Sequence, residues 1–368
     1  MTTYIDINIL QNVAPGCLNR DDVGAPKTAI FGGSRRARIS SQCLKRAQRK
    51  AFAQMGLLDE DELGARTRNL LAMVQKKLAA AGHEDTEAPV RLAIQMAFAA
   101  KAAKGSSVLA GNEDTMKFLV LASNSSLRSF IAAVTANLEE LRDGKCSAAM
   151  KKVLRGCFEK PTNSVDLAMF GRMISTDTDL STDAAIQVAH SISTHAVQRE
   201  SDYYTAVDDF TQADEADAGM LGSVDFNSAC HYRFASINFD QLVANLNGDR
   251  ELALKGVRAY IRAAVMAIPT GKQNTFAAHN LPEFVAIGVH NSQPISLANA
   301  FQRSVGAGEL RDGLVHASVQ RLEEHAGTLC SAYGLELGLR ALDLTGAWTG
   351  ESAANLDAMV ESVVAELS

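Results

Sequence analysis

Residues 31–55 read FGGSRRARISSQCLKRAQRKAFAQM, a Gly-Gly turn, three closely spaced arginines and the start of a strongly basic helix. Between Val23 and Leu58 there are eight Lys/Arg (residues 27, 35, 36, 38, 45, 46, 49 and 50) and no Asp or Glu, in a chain of formal net charge −6. Positive charge is concentrated in one place on an otherwise acidic protein, and such a local field suits a polyanionic partner.

The pattern predicts a helix opening at Ser40, whose hydroxyl can accept from an orphan N–H of the first turn. Ile39 and Leu44 then take the two positions of a hydrophobic staple. At about 100° per residue, Leu44, Ala47, Ala51 and Met55 form an apolar stripe with Phe52 at its edge. Lys45 with Arg49, and Arg46 with Lys50, are like-charge i,i+4 pairs on the opposite side, each costing a few tenths of a kcal/mol in isolation. An anion along that face reverses the sign. Charge runs are commonly no more than solvated faces. Here, however, the signs are not mixed, Gly32-Gly33 permits close backbone approach, and Ser40, Ser41 and Gln42 stand at a helix start, where N–H groups favour phosphate.

Working outward, Tyr4–Leu10 alternates Ile5, Ile7 and Ile9 with Asp6 and Asn8, the pattern of a half-buried strand. A loop, CLNRDDVGAPK (17–27), carries Arg20 and Lys27. Beyond the basic helix, residues 59–162 are alanine-rich and read as helices over Glu62–Ala81, Ala88–Ala103, Thr115–Leu121 and Ser126–Leu141. Val165, Leu167 and Met169 alternate as a strand ending at Gly171-Arg172-Met173, and a short helix is expected near Thr182–Ser193. Residues 197–228 hold eight acids against one arginine, with Tyr203, Tyr204, Phe210 and Phe226 interleaved, which suits a projecting hairpin better than a core element. Cys230–Phe239 reads as a strand, Arg250–Ile268 as a helix, Glu283–His290 as a strand, and the remainder as mostly helical. The assembled order is strand, helix, strand, strand, helix, strand. The expected fold is therefore α+β, with the split βαβ, ferredoxin-like topology shared by RRM domains, a helical insertion after the first helix and an arm between the second and third strands.

At 368 residues the chain can bury a full core in one large domain with insertions or in two domains. Its N-terminus lacks a basic n-region, and no run of eighteen apolar residues occurs, so neither a signal peptide nor a membrane span is expected. Six cysteines without a CxxC spacing point to a reduced, cytoplasmic protein. No Walker A, GxGxxG, HExxH or Cys/His set is present, and His190 and His195 are too far out of phase to share a helix face. The sequence calls for no cofactor, no metal and no catalytic residue. An acidic cytosolic enzyme using the basic patch for a phosphorylated substrate is the competing class.

The block CLNRDD (17–22), AIFGG-x-RR-x-RISSQ-x-LKRA-x-RK (29–50), LAMFGRM (167–173), YTAVDD (204–209) and PTGKQNTFAAHNLP (269–282) resembles, in the same order, the CasC (Cse4) family, the crRNA-binding backbone subunit of the type I-E CRISPR complex Cascade. The resemblance runs from the first strand to about residue 305. It implies a hand: residues 1–58 as the first part of an RRM-like palm with the basic RNA-binding helix, 59–162 as helical fingers, 163–196 as the second palm strand and a link, 197–228 as a thumb, and 229–368 as the rest of the palm with C-terminal helices. It further implies that several copies polymerise along one guide, each thumb reaching a neighbour, with target DNA, other Cascade subunits and a separate helicase–nuclease as partners.

On that basis Arg20, Lys27, Ser40, Gln42, Lys45, Arg46 and Arg49 are expected on RNA phosphate and sugar, which position a guide without reading its sequence. Arg36 and Arg38 share one face of an extended chain and are assigned to RNA as a pair, with Arg35 opposite. Arg172 and Met173 are placed at the guide, Met173 as a soft wedge against a displaced base. Lys272, Gln273 and Asn274 are read as an RNA or neighbour contact, and Tyr203 and Tyr204 as the thumb base. Lys151, Lys152 and Arg155 form a smaller cluster that would meet target DNA, or simply a solvated helix end. Type III relatives cut RNA with a loop aspartate and a metal, so Asp21 and Asp22 define the alternative, a metal-dependent ribonuclease. Adjacent carboxylates point apart on an extended chain, and no further oxygen ligands stand nearby.

Overall fold

A computed structural model describes residues 2–98, 107–110, 115–159, 163–174, 177–206 and 220–368. In chain order, β1 (Tyr4–Gly16) leads into the hairpin β2 (Thr28–Phe31) and β3 (Ser34–Ile39), then α1 (Ser41–Gln54). Next come β4 (Gly64–Thr67), α2 (Leu70–Ala80), α3 (Glu87–Phe98), β5 (Val120–Ser123), α4 (Asn124–Ala136), α5 (Leu138–Arg142), α6 (Ala148–Glu159) and α7 (Val165–Phe170). The chain continues through β6 (Ile186–Val188), β7 (Ser191–Ser193), β8 (Glu200–Ala206) and the long β9 (Met220–Asn238). It closes with α8 (Phe239–Asn245), α9 (Arg250–Met266), α10 (Gln273–Phe276), β10 (Phe284–His290), α11 (Leu314–Tyr333), β11 (Arg340–Asp343), β12 (Glu351–Ser352) and α12 (Leu356–Leu367). The fold is α+β, in two compact units: Met1–Ala51, Gln187–Ile237 and Tyr260–Ser368 form the first, Phe52–Ile186 and Asn238–Ala259 the second.

The first unit is built on a mixed sheet in the order β12-β11-β10-β1-β9-β7-β3-β2, with β6 and β8 also pairing with β9. β1 runs antiparallel to β10, Ile5 facing Val289 and Ile9 facing Val285, and β7 runs antiparallel to β9. Ile5, Ile7 and Ile9 are buried as the alternation predicts, but Asp6 and Asn8 are buried too. β1 is thus covered on both faces. Its polar side chains find partners far along the chain: Asn8 accepts from the Tyr232 hydroxyl at 2.7 Å, and one oxygen of Asp6, Oδ2, accepts from the Ile295 amide at 2.7 Å. Alternation in the sequence cannot tell a solvated polar face from a partnered one. One apolar core joins Leu10, Tyr232, Phe234, Phe284 and Phe301 to Val315, Val319 and Leu322 of α11, and a smaller one joins Val13, Leu18, Ile39, Leu44 and Ala278.

The second unit is mainly helical. Phe98, Phe130 and Phe158 stack at its centre, with ring centroids 4.7 Å and 5.1 Å apart, among Leu70, Val74, Ile94 and Leu154. Four expected elements are corrected. Glu62–Ala81 begins as a strand, since β4 pairs with β5, Gly64 opposite Ser123, and Thr115–Leu121 likewise leads into β5 instead of a helix. Val165–Met169 is the helix α7: Ser164 accepts from the Leu167 amide at 3.3 Å, and Gly171 ends the helix at φ +73. An i, i+2, i+4 apolar set is compatible with either period when every residue is buried, as here. The helix expected near Thr182–Ser193 is replaced by the short strands β6 and β7. Residues 99–103 of the expected Ala88–Ala103 helix and residues 207–219, with Phe210 and the last three residues of YTAVDD, lie outside the described residues.

Candidate nucleic-acid interface

α1 forms as the sequence predicts at its start. Ser40 Oγ accepts from the Cys43 amide at 3.3 Å, and Ile39 and Leu44 share one apolar cluster. The buried stripe is rotated from the expected one: Leu44, Gln48, Ala51 and Phe52 are inside, while Met55 is 42 % exposed. Gln48 replaces Met55 because its amide oxygen finds a buried donor, the Tyr260 hydroxyl at 3.3 Å. Outward from this stripe stand Gln42, Arg46 and Lys50, exposed, with Lys45 and Arg49 half-buried. Burial lowers the pKa of Lys45, a cost that a nearby anion offsets.

The loop 17–27 packs against the start of α1. Asn19 Oδ1 accepts from the Ser40 amide at 2.8 Å, and the Lys27 carbonyl accepts from the Arg38 amide at 2.9 Å. Cys17 and Cys43 lie in these same two segments. Burial pushes the Cys43 thiol up, while Arg46 and Lys27 pull it down. Burial likewise raises Cys17, opposed first by Arg20 and then by Lys272, with Asp21 and Asp225 adding to the rise. The 269–278 loop reaches this place because Gly271 has no side chain: a Cβ there would stand 2.3 Å from the Leu18 carbonyl oxygen. Arg20, Lys27, Arg38, Arg46 and Lys272 are therefore gathered from four segments of the first unit. Among the described residues, Arg20, Lys27, Lys45 and Arg46 have no carboxylate partner.

Several expected contacts are corrected. Arg36 is fully buried: Nε donates to Ser34 Oγ (2.9 Å), Nη1 to the Ser193 carbonyl (2.9 Å), and Nη2 to the carbonyls of Phe301 (2.7 Å) and Gln302 (3.2 Å). It is a structural clamp with no face left for RNA. Arg38 alone of that pair keeps surface, donating from Nε to the Thr28 carbonyl at 3.2 Å. Arg172, in the second unit, is also buried, donating to the carbonyls of Leu180 (2.6 Å), Leu121 (3.5 Å) and Phe158, and burial lowers its pKa to about 10. Met173 beside it is 82 % exposed. Ser40 is buried and committed to its cap. Gln273 braces its own loop through the Pro269 and Ala278 carbonyls at 3.3 Å and 3.0 Å, whereas Asn274 is exposed. Arg155 is held by Asp177 and by Glu159 at 2.9 Å, leaving Lys151 and Lys152 as the cations of that cluster.

Gly32 serves the chain itself and not a ligand. At φ +56, a Cβ on it would stand 1.6 Å from the Gln302 carbonyl oxygen. Tyr203 and Tyr204 lie on β8, 64 % and 40 % exposed, and Tyr204 covers Gly222 on β9. Asp21 accepts from the amides of Val23 (3.1 Å) and Ala25 (2.9 Å), an Asx turn that employs its carboxylate. Among the described residues no group of three or more His, Cys, Asp or Glu is placed to hold a metal ion, and no helix is long and apolar enough to cross a membrane. Sequence reading missed Asn19 and His190. Their roles at the start of α1 are made by contacts 21 and 149 residues away in sequence.

A family model described as CT1975-like protein matches residues 5–366. The chain belongs to this family. The family assignment drawn from the CasC-like motifs is thereby borne out. Among solved structures, a chain of a CRISPR RNA-guided surveillance complex, pre-nicking, is 28 % identical over 99 % of this chain and 100 % of its own, with a TM-score of 0.86. A chain of a second CRISPR RNA-guided surveillance complex, 24 % identical over 99 % of this chain and 100 % of its own, shares the fold at a TM-score of 0.63. Curated protein sequences give no match. The CT1975-like chain thus resembles a surveillance-complex chain over its whole length, including the segments that carry the cationic face.

Proposed function

We propose that this protein is a crRNA-binding backbone subunit of a type I-E CRISPR surveillance complex, which polymerises along the guide and presents it for pairing with target DNA without catalysing a reaction. The observation that carries this reading is that the 17–27 loop, with Arg20 and Lys27, packs on the start of the basic helix α1 and against the 269–278 loop that bears Lys272, in a chain so similar to one from such a complex. In this reading, cations from α1, its preceding loop and the 269–278 loop meet the phosphates of the guide. Phosphate contacts position a guide without reading its bases, which is what a subunit that must accept any spacer requires. Sequence reading is then left to pairing between guide and target.

The strand run β10-β1-β9-β7, with α1 lying between β1 and β7 in the chain and α9 between β9 and β10, supports a ferredoxin-like, RRM-like palm. In this reading the second unit supplies the fingers, with Lys151 and Lys152 toward target DNA, and the acidic β8–β9 hairpin is the thumb that docks on the basic face of the next copy. Exposed Met173 is the wedge against a displaced base. Other Cascade subunits and a separate helicase–nuclease complete the system in the cytoplasm. RNA binding measured across a salt series tests this. The chain should show a steep fall of log K with log salt, and replacing Lys27, Lys45 and Arg46 by alanine should flatten the slope by about 0.7 for each phosphate left without its cation. An unchanged slope would remove the interface from α1.

A further inference from the structure

His190, between β6 and β7, belongs to none of the cation clusters, yet its ring has an assignable protonation pattern. Its Nδ1 stands 3.2 Å from the Ser41 backbone nitrogen and 3.3 Å from Arg38 Nη1. A backbone amide and a guanidinium can only donate, so Nδ1 carries the lone pair for both and the ring proton sits on Nε2. His190 is therefore a neutral acceptor fixed between the start of α1 and β3.

The consequence falls on Arg38. Its Nε donates to the Thr28 carbonyl at 3.2 Å and its Nη1 to His190, while Nη2 has no partner among the described residues. Lys27, Asn19 and Arg38 line one small cavity beside it. A long side chain held at two of its three nitrogens has already lost most of its rotamer freedom before any ligand arrives, so less entropy is lost on binding. The contrast with Arg36, two residues away and saturated by carbonyls, is one of donors left over.

We propose that His190 is a positioning residue that orients Arg38, through its Nδ1 acceptor, toward a guide-RNA phosphate. The inference rests on the RNA-binding reading above. A merely structural histidine would satisfy the Ser41 amide and affect unfolding alone. A positioning histidine must also act through Arg38.

The test uses the full chain, a fluorescently labelled single-stranded RNA and a salt series. His190→Ala and Arg38→Ala should each weaken RNA binding about tenfold, as expected for a lost hydrogen bond to a charged group. Each should flatten the salt slope by about 0.7, one phosphate on a single strand. The double variant should be no weaker than either single one. His190→Asn, whose amide oxygen occupies the place of Nδ1, should restore binding and slope. His190→Gln, which sets its acceptor farther out, should not, and it supplies the comparison if the alanine variant unfolds. Additive losses, failure of asparagine to rescue, or wild-type binding by His190→Ala would overturn the proposal. If Lys27→Ala/Arg46→Ala also binds like wild type with an unchanged slope, the RNA-face reading itself has failed. If that pair flattens the slope while the histidine variants do not, only the role of His190 has.

Discussion

Arg36 Nη2 donates to the carbonyl oxygen of Phe301 at 2.7 Å, closing a contact between residues 265 apart in sequence. The bond belongs to a set in which all three guanidinium nitrogens are used on Ser34, Ser193, Phe301 and Gln302. An arginine in the most basic stretch of the chain is thus part of the frame that holds the β2–β3 hairpin.

Arg36→Ala should therefore cost stability and not specific RNA contacts. Removing a buried charge that satisfies several carbonyls is worth about 3 kcal/mol. Denaturant unfolding should show this loss, and the fraction that remains folded should bind RNA with an unchanged salt slope. Arg172→Ala, buried in the second unit on the carbonyls of Leu180 and Leu121, should behave likewise.

Arg46→Ala and Lys27→Ala should do the reverse. Neither cation has an ion-pair partner among the described residues, so each change should leave stability within about 0.5 kcal/mol. Both should lower RNA affinity and salt dependence together. The paired readout separates a cation that binds from one that builds.

Gly32→Ala should destabilise by more than about 1 kcal/mol, since the residue combines φ +56 with a distance of 1.6 Å from any added Cβ to the Gln302 carbonyl oxygen. Gly33→Ala at φ +76 meets no atom within 4 Å and should cost only the strain of its backbone conformation. Comparing unfolding midpoints of the two variants isolates the collision from the dihedral.

His231 sets an acid limit on the first unit. Burial, helped by Arg233, depresses its pKa from 6.5 to about 3. Between those values the unfolded chain binds a proton that the folded chain does not, so stability falls as pH is lowered. One such proton contributes up to about 1.4 kcal/mol per pH unit. His195, also lowered by burial, acts in the same direction. Urea unfolding at pH 7 and at pH 5 should show the drop, and His231→Gln should lessen its steepness.

Local signals were legible from sequence wherever the cause was local. The Ser40 cap, the Ile39–Leu44 staple and the buried isoleucines of β1 depend on neighbours within a few residues. The α9 and β10 spans depend on unbroken periodic runs, and both appear close to their expected limits. What was not legible depends on distant partners. Arg36 and Arg38 have the same residue type and the same side of a strand, yet a carbonyl 265 residues away decides that one is interior. Arg172 is withdrawn by carbonyls 8, 14 and 51 residues off, and Gln48 enters the core because Tyr260 meets it. Val165–Met169 failed for a different reason, because a short, wholly buried segment carries no polar face to reveal its period.

The most direct measurement is co-purification of the tagged chain from its native host, followed by sequencing of bound nucleic acid, beside a variant with Lys27, Lys45 and Arg46 changed to alanine. A guide-scaffold subunit should bring down short RNAs with repeat-derived ends, and the variant should lose them while remaining folded. A particle without RNA, or RNA retained equally by the variant, would contradict the claim that this cationic face holds the guide.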